Sequence, residues 1–354
     1  MPGHKRNTAL LGERLPYAID ITEIAGFDNL QHPQGILRDV MNRAQALWGS
    51  DAAYMSVNGA TGAILAGIRA MTKPGDTVLV ACNCHMSVFH AIELCGLHAV
   101  LLEPEWLTKW GMYGAVPQQV IDEAQTQHPH ASLCVITSPT YEGVLSNVRS
   151  SIPLVIDAAH GAHLPLPNAD LIVHSLHKTL PALTQTAMLH VRGNRVDHER
   201  LEHNLRIFQT SSPSYVLMAS IAECVALLEE HKQAWFAAWE ERLRKFYAHA
   251  KTWRNMELFC VGESAGGFAS APTDPSKLLI RCDAEQAAMH LRKHNLEPEY
   301  AHQCRLLCLT SPCDTDDMMA ELTQALDELD NYALCIKNYE LPKLGELSNG
   351  WKFM

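Results

Sequence analysis

The chain reads as an α/β protein: a mostly parallel sheet with helices on both faces, followed by a small C-terminal α+β domain. Three observations predict this. Short apolar runs of strand length alternate with helix-length runs from residue 36 to about residue 210, the pattern of strands joined by helical crossovers. Two of those strands end in residues that carry chemistry, Ile152–Ile156 in Asp157 and Ala169–Val173 just before Lys178, and α/β sheets bind their ligands at the C-terminal ends of strands. From residue 256 onward the rhythm changes to short strands and two amphipathic helices.

Taken in order, residues 1–35 are broken by Pro2, Gly3, Pro16, Gly26 and Pro33 and read as an extended arm with short turns. Ile36–Trp48 has apolar residues at helical spacing and leads to a strand at Tyr54–Val57. Asn58-Gly59-Ala60-Thr61-Gly62-Ala63 then opens a small-residue helix to about Met71. A strand, a Gly-rich turn and a helix start present free backbone N–H groups and the positive end of the helix dipole, which suits a phosphate. The turn lacks the lysine of a nucleotide P-loop and the spacing of a dinucleotide fingerprint, and its small residues serve tight helix packing equally well. Strands follow at Asp76–Ala81, Ala99–Leu102 and Leu133–Thr137, with helices near Ser87 and over Pro117–Gln125. After Lys178 come a strand at Thr186–Val191 and a helix over Asp197–Ile207. The Phe208–Tyr215 segment, rich in N-cap residues, starts a long apolar helix. Residues 230–255 are charged and read as a solvated connecting helix. The last third has strands at Leu258–Val261, Lys277–Ile280 and Leu306–Leu309, helices at Ala284–Lys293 and Thr315–Leu329, and a tail over Pro342–Met354. The domain division expected is an arm (1–35), a large domain (36–235), a small α+β domain (236–345) and a tail (346–354).

Composition narrows the function. At 354 residues the chain exceeds one ordinary core. A net charge of -11 argues against a nucleic-acid partner; it is compatible with a cationic substrate, and solubility explains it equally well. No stretch approaches the ~18 unbroken apolar residues of a membrane span, and the N-terminus lacks a signal-peptide apolar region, so no membrane partner and a cytoplasmic location are expected. Eleven cysteines without a regular framework read as reduced thiols. Cys82-x-Cys84-His85 and His160-x-x-His163 have no second pair at zinc-finger spacing, and no metal is assigned.

If the Asp157 and Lys178 strands are neighbours, their carboxylate and amine face a common crevice. A lysine held among apolar groups can lose its proton and attack an aldehyde, and such a Schiff base is how pyridoxal phosphate is held. The cofactor's ring nitrogen needs a carboxylate partner to remain protonated and act as an electron sink, the role open to Asp157. Either residue alone would more often be a loop cap or a solvated surface lysine. Together, flanked by His160, Ser175 and His177, they point to chemistry.

Asp157-x-Ala159-His160-Gly161-x-His163, then His174-Ser175-Leu176-His177-Lys178-Thr179-Leu180 and Thr184-Gln185, resemble the ornithine/lysine/arginine decarboxylase group of fold-type I pyridoxal-phosphate enzymes. The resemblance runs from Pro2-Gly3-His4-Lys5 to about Thr210–Ser214, with weaker echoes to about residue 330. It implies a fold-type I transferase-like architecture and decarboxylation of lysine, arginine or ornithine, with pyridoxal 5'-phosphate linked to Lys178 and its ring nitrogen on Asp157. It further implies that His85 stacks on the ring; that Thr61, Gly62, Ser175 and His177 hold the phosphate; that Thr140 lies on the loop beside the cofactor's 3-oxygen; and that Ala60, Ala159 and His160 also bind the cofactor. Lys178 or a neighbouring histidine would return the proton to Cα. Ser211 would reach the phosphate of a neighbouring subunit, so a homodimer with a shared site is implied. Cys82 and Met86 depart from the family pattern, which usually has Arg and Lys there. Larger relatives carry a further C-terminal domain, so a short form is expected. Glu142 and Glu299 fall on loops expected to border the pocket and could meet a substrate's distal cation, or be ordinary surface glutamates. An aldolase, desulfurase or aminotransferase on the same scaffold, or a degenerate cofactor-binding regulatory protein, remain alternatives.

Overall fold

A computed structural model of the chain describes residues 2–259 and 272–331. Its elements in order are α1 (Thr8–Leu11), α2 (Ile36–Trp48), β1 (Ala52–Ser56), α3 (Gly59–Met71), β2 (Thr77–Ala81), α4 (Met86–Cys95), β3 (His98–Leu102), β4 (Trp106–Leu107), β5 (Met112–Tyr113), α5 (Gln118–Gln127), β6 (Leu133–Thr137), β7 (Leu154–Asp157), β8 (Leu171–Ser175), α6 (Leu176–Thr179), β9 (Ala187–Val191), α7 (His198–Phe208), α8 (Tyr215–Ala250), β10 (Glu257–Leu258), β11 (Lys277–Arg281), α9 (Ala284–Lys293), β12 (Tyr300–His302), β13 (Arg305–Leu309) and α10 (Asp316–Asn331). The arm is not wholly extended, because Asn7 Oδ1 accepts the Leu10 N–H at 3.1 Å and caps the single turn of α1.

The chain divides into two compact units, one of residues 1–105 and 115–236, the other of 106–114 and the residues from 237 on. The first is built on a seven-stranded sheet of order β1-β9-β8-β7-β6-β2-β3. Pairing is parallel from β8 to β3, while β9 runs antiparallel to both β8 and β1. Asp157 pairs with Thr137 on one side and Val173 on the other. The central strands are near-continuous apolar runs, as burial on both faces requires; every residue of β8 is buried. In β1 and β9 alternation splits the side chains between two clusters. On one face Tyr54 and Leu189 join the cluster that holds Ile64 of α3, Val88 of α4 and Leu201 of α7. On the other, Ala53, Met55 and Met188 pack with Val40 and Met41 of α2 and with Met218, Ile221 and Val225 of α8. Each such buried side chain contributes roughly 1.5–3 kcal/mol.

The second unit has a four-stranded antiparallel sheet, β10-β11-β13-β12, covered by α9, α10 and the later part of α8. Here the structure departs from the reading of residues 230–255 as a separate solvated helix. α8 is one helix of 36 residues, and beneath its charged surface Trp239, Leu243, Phe246 and Ala250 line a core with Leu278, Ile280, Leu291 and Leu326. Residues 106–114 form the β4–β5 hairpin; Trp110 is fully buried edge-on to Phe259 at 4.9 Å, and Lys109 pairs with Glu257. Lys277 and Asp274 form an ion pair at 3.2 Å with both side chains essentially inaccessible. Burial lowers the Lys277 pKa despite the opposing pull of Asp274 and Glu299. Val261, at the end of one expected strand, the end of the expected small domain and the tail at 346–354 lie outside the described residues.

Candidate active site

Five parallel strands of the first unit end on one edge of the sheet, and the residues after those ends build the site. β7 ends in Asp157, whose side chain is 2% exposed. Its Oδ1 accepts the Ala159 N–H at 3.1 Å. Burial raises the pKa of this carboxyl, opposed by the Ala159 hydrogen bond and by the nearby charges of Lys178 and His85. β8 ends in Ser175 and passes directly into the single turn of α6, which carries Lys178. Lys178 Nζ lies 2.8 Å from His160 Nε2, and the His160 ring meets Tyr141 edge-on at 4.7 Å. The turns that hold this arrangement are closely packed. Gly161 has no room for a side chain, since a Cβ there would stand 2.7 Å from Pro139 Cδ. Thr140 Oγ1 accepts the Val144 N–H at 3.1 Å and closes the loop after β6.

β1 ends at Ser56, and Gly59 supplies the left-handed φ of +70° that turns the chain into α3. Asn58 precedes α3 without capping it through its side chain, so the first-turn amides of Ala60 and Thr61 are open to an approaching anion, while the Gly62 N–H donates to the Asn58 carbonyl at 3.1 Å. Gln185, at φ 81°, fixes this turn: its carbonyl accepts the Gly59 N–H at 3.0 Å and its Nε2 donates to the Val57 carbonyl at 2.6 Å. β2 leads to His85, the N-cap of α4, which accepts the Ser87 N–H on Nδ1 at 3.2 Å and contacts the Ser87 hydroxyl at 2.8 Å. His85 is thus a helix cap that also lies close enough to Asp157 to act on its charge. Ser175 is buried and precedes α6; His177 Nδ1 lies 3.1 Å from the Thr186 carbonyl. Ser211 is exposed, next to Thr210, whose N–H lies 3.5 Å from Asn58 Oδ1.

The model for the family described as "Orn/Lys/Arg decarboxylase, major domain" matches residues 8–259, more than half of the chain. The chain belongs to that family. It is 33% identical over 335 residues to a Bacillus subtilis (strain 168) protein named "Uncharacterized protein YaaO", covering 88% of this chain and 68% of the other. It is 30% identical over 363 residues to the "Arginine decarboxylase" of the same organism, covering 93% and 73%. In fold it resembles the Francisella novicida lysine decarboxylase LdcF, with a TM-score of 0.81, 19% identity and coverage of 94% of this chain and 57% of that one. The chain therefore spans little more than half the length of that solved decarboxylase. At lower similarity the same architecture occurs in fold-type I pyridoxal-phosphate enzymes, one of them solved with the cofactor as its internal aldimine.

The fold brings Asp157, Ala159, His160, Lys178 and His85 to one edge of this decarboxylase-family sheet, with Ala60–Gly62 and Thr140 after neighbouring strands. Sequence reasoning missed the Lys178–His160 contact, the role of Tyr141 against His160, and Gln185 as the brace of the α3 turn. His160, Lys178 and Gln185 lie within motifs already quoted and Tyr141 follows Thr140, but only the three-dimensional pairing shows what each touches. Met86 is half exposed on α4. Cys84 is a buried free thiol, its pKa raised by burial. Glu299 belongs to the second unit, where its charge acts on Lys277. No described helix is long and apolar enough to cross a membrane.

Proposed function

We propose that the chain is a pyridoxal-phosphate-dependent decarboxylase of a basic amino acid, arginine, lysine or ornithine, giving the corresponding amine and carbon dioxide. The observation that carries this reading is the buried Asp157 carboxylate and the Lys178 amine on one edge of the sheet in a member of the Orn/Lys/Arg decarboxylase family. The residues fit the cofactor. A carboxylate whose burial is only partly compensated is completed by a cationic ring N–H, and the uncapped amides of α3 suit a phosphate. The bound cofactor supplies an electron sink for the pair left behind when the substrate carboxylate departs.

The chain's own groups divide the remaining work. Asp157 holds positive charge at the ring nitrogen. Lys178 offers the amine for attachment, and its Nζ lies 2.8 Å from His160 Nε2, close enough for a proton to pass between them, so that the pair can return a proton to the substrate carbon. His85 fixes one face of the ring; Thr140 and Ala159 shape its edge. Ala60, Thr61, Gly62, Ser175 and His177 anchor the phosphate. Ser211, exposed on its segment, completes the site of a second copy in a homodimer. The named arginine and lysine decarboxylases among the relatives support a basic substrate, and Glu142, on the loop after β6, is the carboxylate in the first unit proposed to meet its distal cation.

Incubating the cofactor-loaded protein with an amino-acid mixture and identifying the products tests the reaction. A diamine or agmatine-type product is expected; preferential turnover of neutral or acidic amino acids would sink the substrate class. Borohydride reduction should fix the cofactor on the Lys178 peptide, and label on another lysine overturns that assignment. Mixing inactive Lys178→Ala and Ser211→Ala proteins should restore activity if Ser211 serves the other subunit; no restoration refutes the shared site.

A further inference from the structure

Far along the sequence from the residues assigned above, the second unit gathers two imidazoles and a carboxylate. His290 lies on α9 and His294 caps its C-terminal end, a spacing of four that places both side chains on one helix face. Glu328 comes from α10. Glu328 Oε2 lies 3.3 Å from His290 Nε2 and 3.3 Å from His294 Nε2, and the three candidate ligand atoms all lie within 4.8 Å of one another. The side chains are 17%, 34% and 37% exposed in the order His290, His294, Glu328.

We propose that His290, His294 and Glu328 form a binding site for a divalent transition-metal ion, zinc being the ion the donors suit best. Two nitrogens and one carboxylate oxygen are a three-ligand zinc set with one position left for water. With zinc–ligand bonds of about 2.0–2.1 Å, tetrahedral ligands stand about 3.3 Å apart, the separation found here between the carboxylate oxygen and each imidazole nitrogen. Hydrogen bonding accounts for the arrangement less well. His290 Nε2 is buried with no hydrogen-bond partner despite its closeness to the carboxylate, and both imidazoles converge on the same oxygen. The other oxygen, Oε1, accepts the Gln324 amide at 3.2 Å, which orients the carboxylate in the way outer partners orient metal ligands. Neighbouring Arg292 is held by Glu297, so with neutral imidazoles the three donors carry a net negative charge. A bound ion would tie the C-terminal turn of α9 to α10.

The test uses the full-length, cofactor-loaded protein in the presence of a phosphine reductant. Equilibrium dialysis against zinc is compared with titration by cobalt(II), whose visible absorption reports tetrahedral coordination. One ion per chain is expected, lost in His290→Gln and Glu328→Gln by about a hundredfold or more in affinity, and weakened about tenfold in Gln324→Ala, the range of losses typical of an outer partner. Thermal midpoints measured in chelator establish that the variants fold. His294→Gln, at a more exposed position, replaces His290→Gln should the latter fail. No binding at millimolar metal overturns the proposal. So does unchanged affinity in the folded variants, which would place the ion on a cysteine such as exposed Cys313 or on the cofactor.

Discussion

Gly161→Ala tests how tightly the lysine's surroundings are wedged. The added Cβ would lie 2.7 Å from Pro139 Cδ and 3.3 Å from its Cγ, whereas carbon atoms rest about 3.5–4.0 Å apart, so roughly 1 Å must be found. It cannot come from a swinging side chain, because the obstacle is a proline ring between Ser138, whose N–H donates to the Asp157 carbonyl at 3.0 Å, and Thr140, whose N–H donates to Val144 at 2.8 Å. Overpacking of this size costs about 1–3 kcal/mol, which for a unit of roughly 200 residues is a fall of about 2–12 °C in thermal midpoint. The same displacement reaches Tyr141, which packs on His160, and through His160 the Lys178 amine. A misplacement near 1 Å can cost about a hundredfold in rate. Differential scanning fluorimetry and steady-state decarboxylation measure the two effects. A midpoint within about one degree of wild type together with unchanged turnover would show that the contact is not tight and that the loops do not position Lys178.

Three further outcomes are expected. In cofactor-free protein, burial raises the Asp157 pKa above 3.8, so the folded state keeps a proton the unfolded chain releases and stability falls as pH rises through that window; Asp157→Asn should abolish this part of the fall while removing nearly all activity, and parallel melting profiles from pH 4 to neutrality would refute it. His85→Ala should cost about 1 kcal/mol as a lost cap, whereas His85→Asn should keep the cap to Ser87 and still lose cofactor on dialysis; normal retention in His85→Asn would leave the imidazole with a capping role alone. Lys277→Met strands the Asp274 carboxylate in the core and should cost about 3–5 kcal/mol in urea unfolding, largely recovered in the double variant with Asp274→Asn; a single variant as stable as wild type would contradict the pairing.

Where burial on both faces forces a continuous apolar run, the elements were legible: β6 and α9 match the expected Leu133–Thr137 and Ala284–Lys293. Asp157 and Lys178 stood out because a polar group abruptly ends such a run. The α8 helix reads in sequence as two pieces because Glu229, Glu230, Glu240 and Glu241 mark a solvated surface, while Trp239, Leu243 and Phe246 bury a different face of the same helix. The β4–β5 hairpin and β12 have only two or three residues each, too few to show a period, and owe their form to tertiary partners such as Phe259 and β13. The Lys178–His160 contact spans two strand ends, a distance that no linear spacing encodes. His290 and His294 did carry a helical spacing, but their third partner lies on another helix.

The reversed strand β9 bears on the order in which the first unit assembles. Its pairing with β8 joins neighbouring segments through the short connection that carries Lys178, so the lysine's surroundings can form from local contacts early in folding. The turn entering α3 is different, because it is braced by Gln185 across 128 residues of sequence, and β1 pairs with β9 at a similarly long separation. Closing contacts of such long range is the slow part of folding. The α3 turn, proposed above to hold the cofactor phosphate, is therefore expected to form late, and added cofactor should protect the finished protein by mass action while leaving the rate at which the chain first folds unchanged.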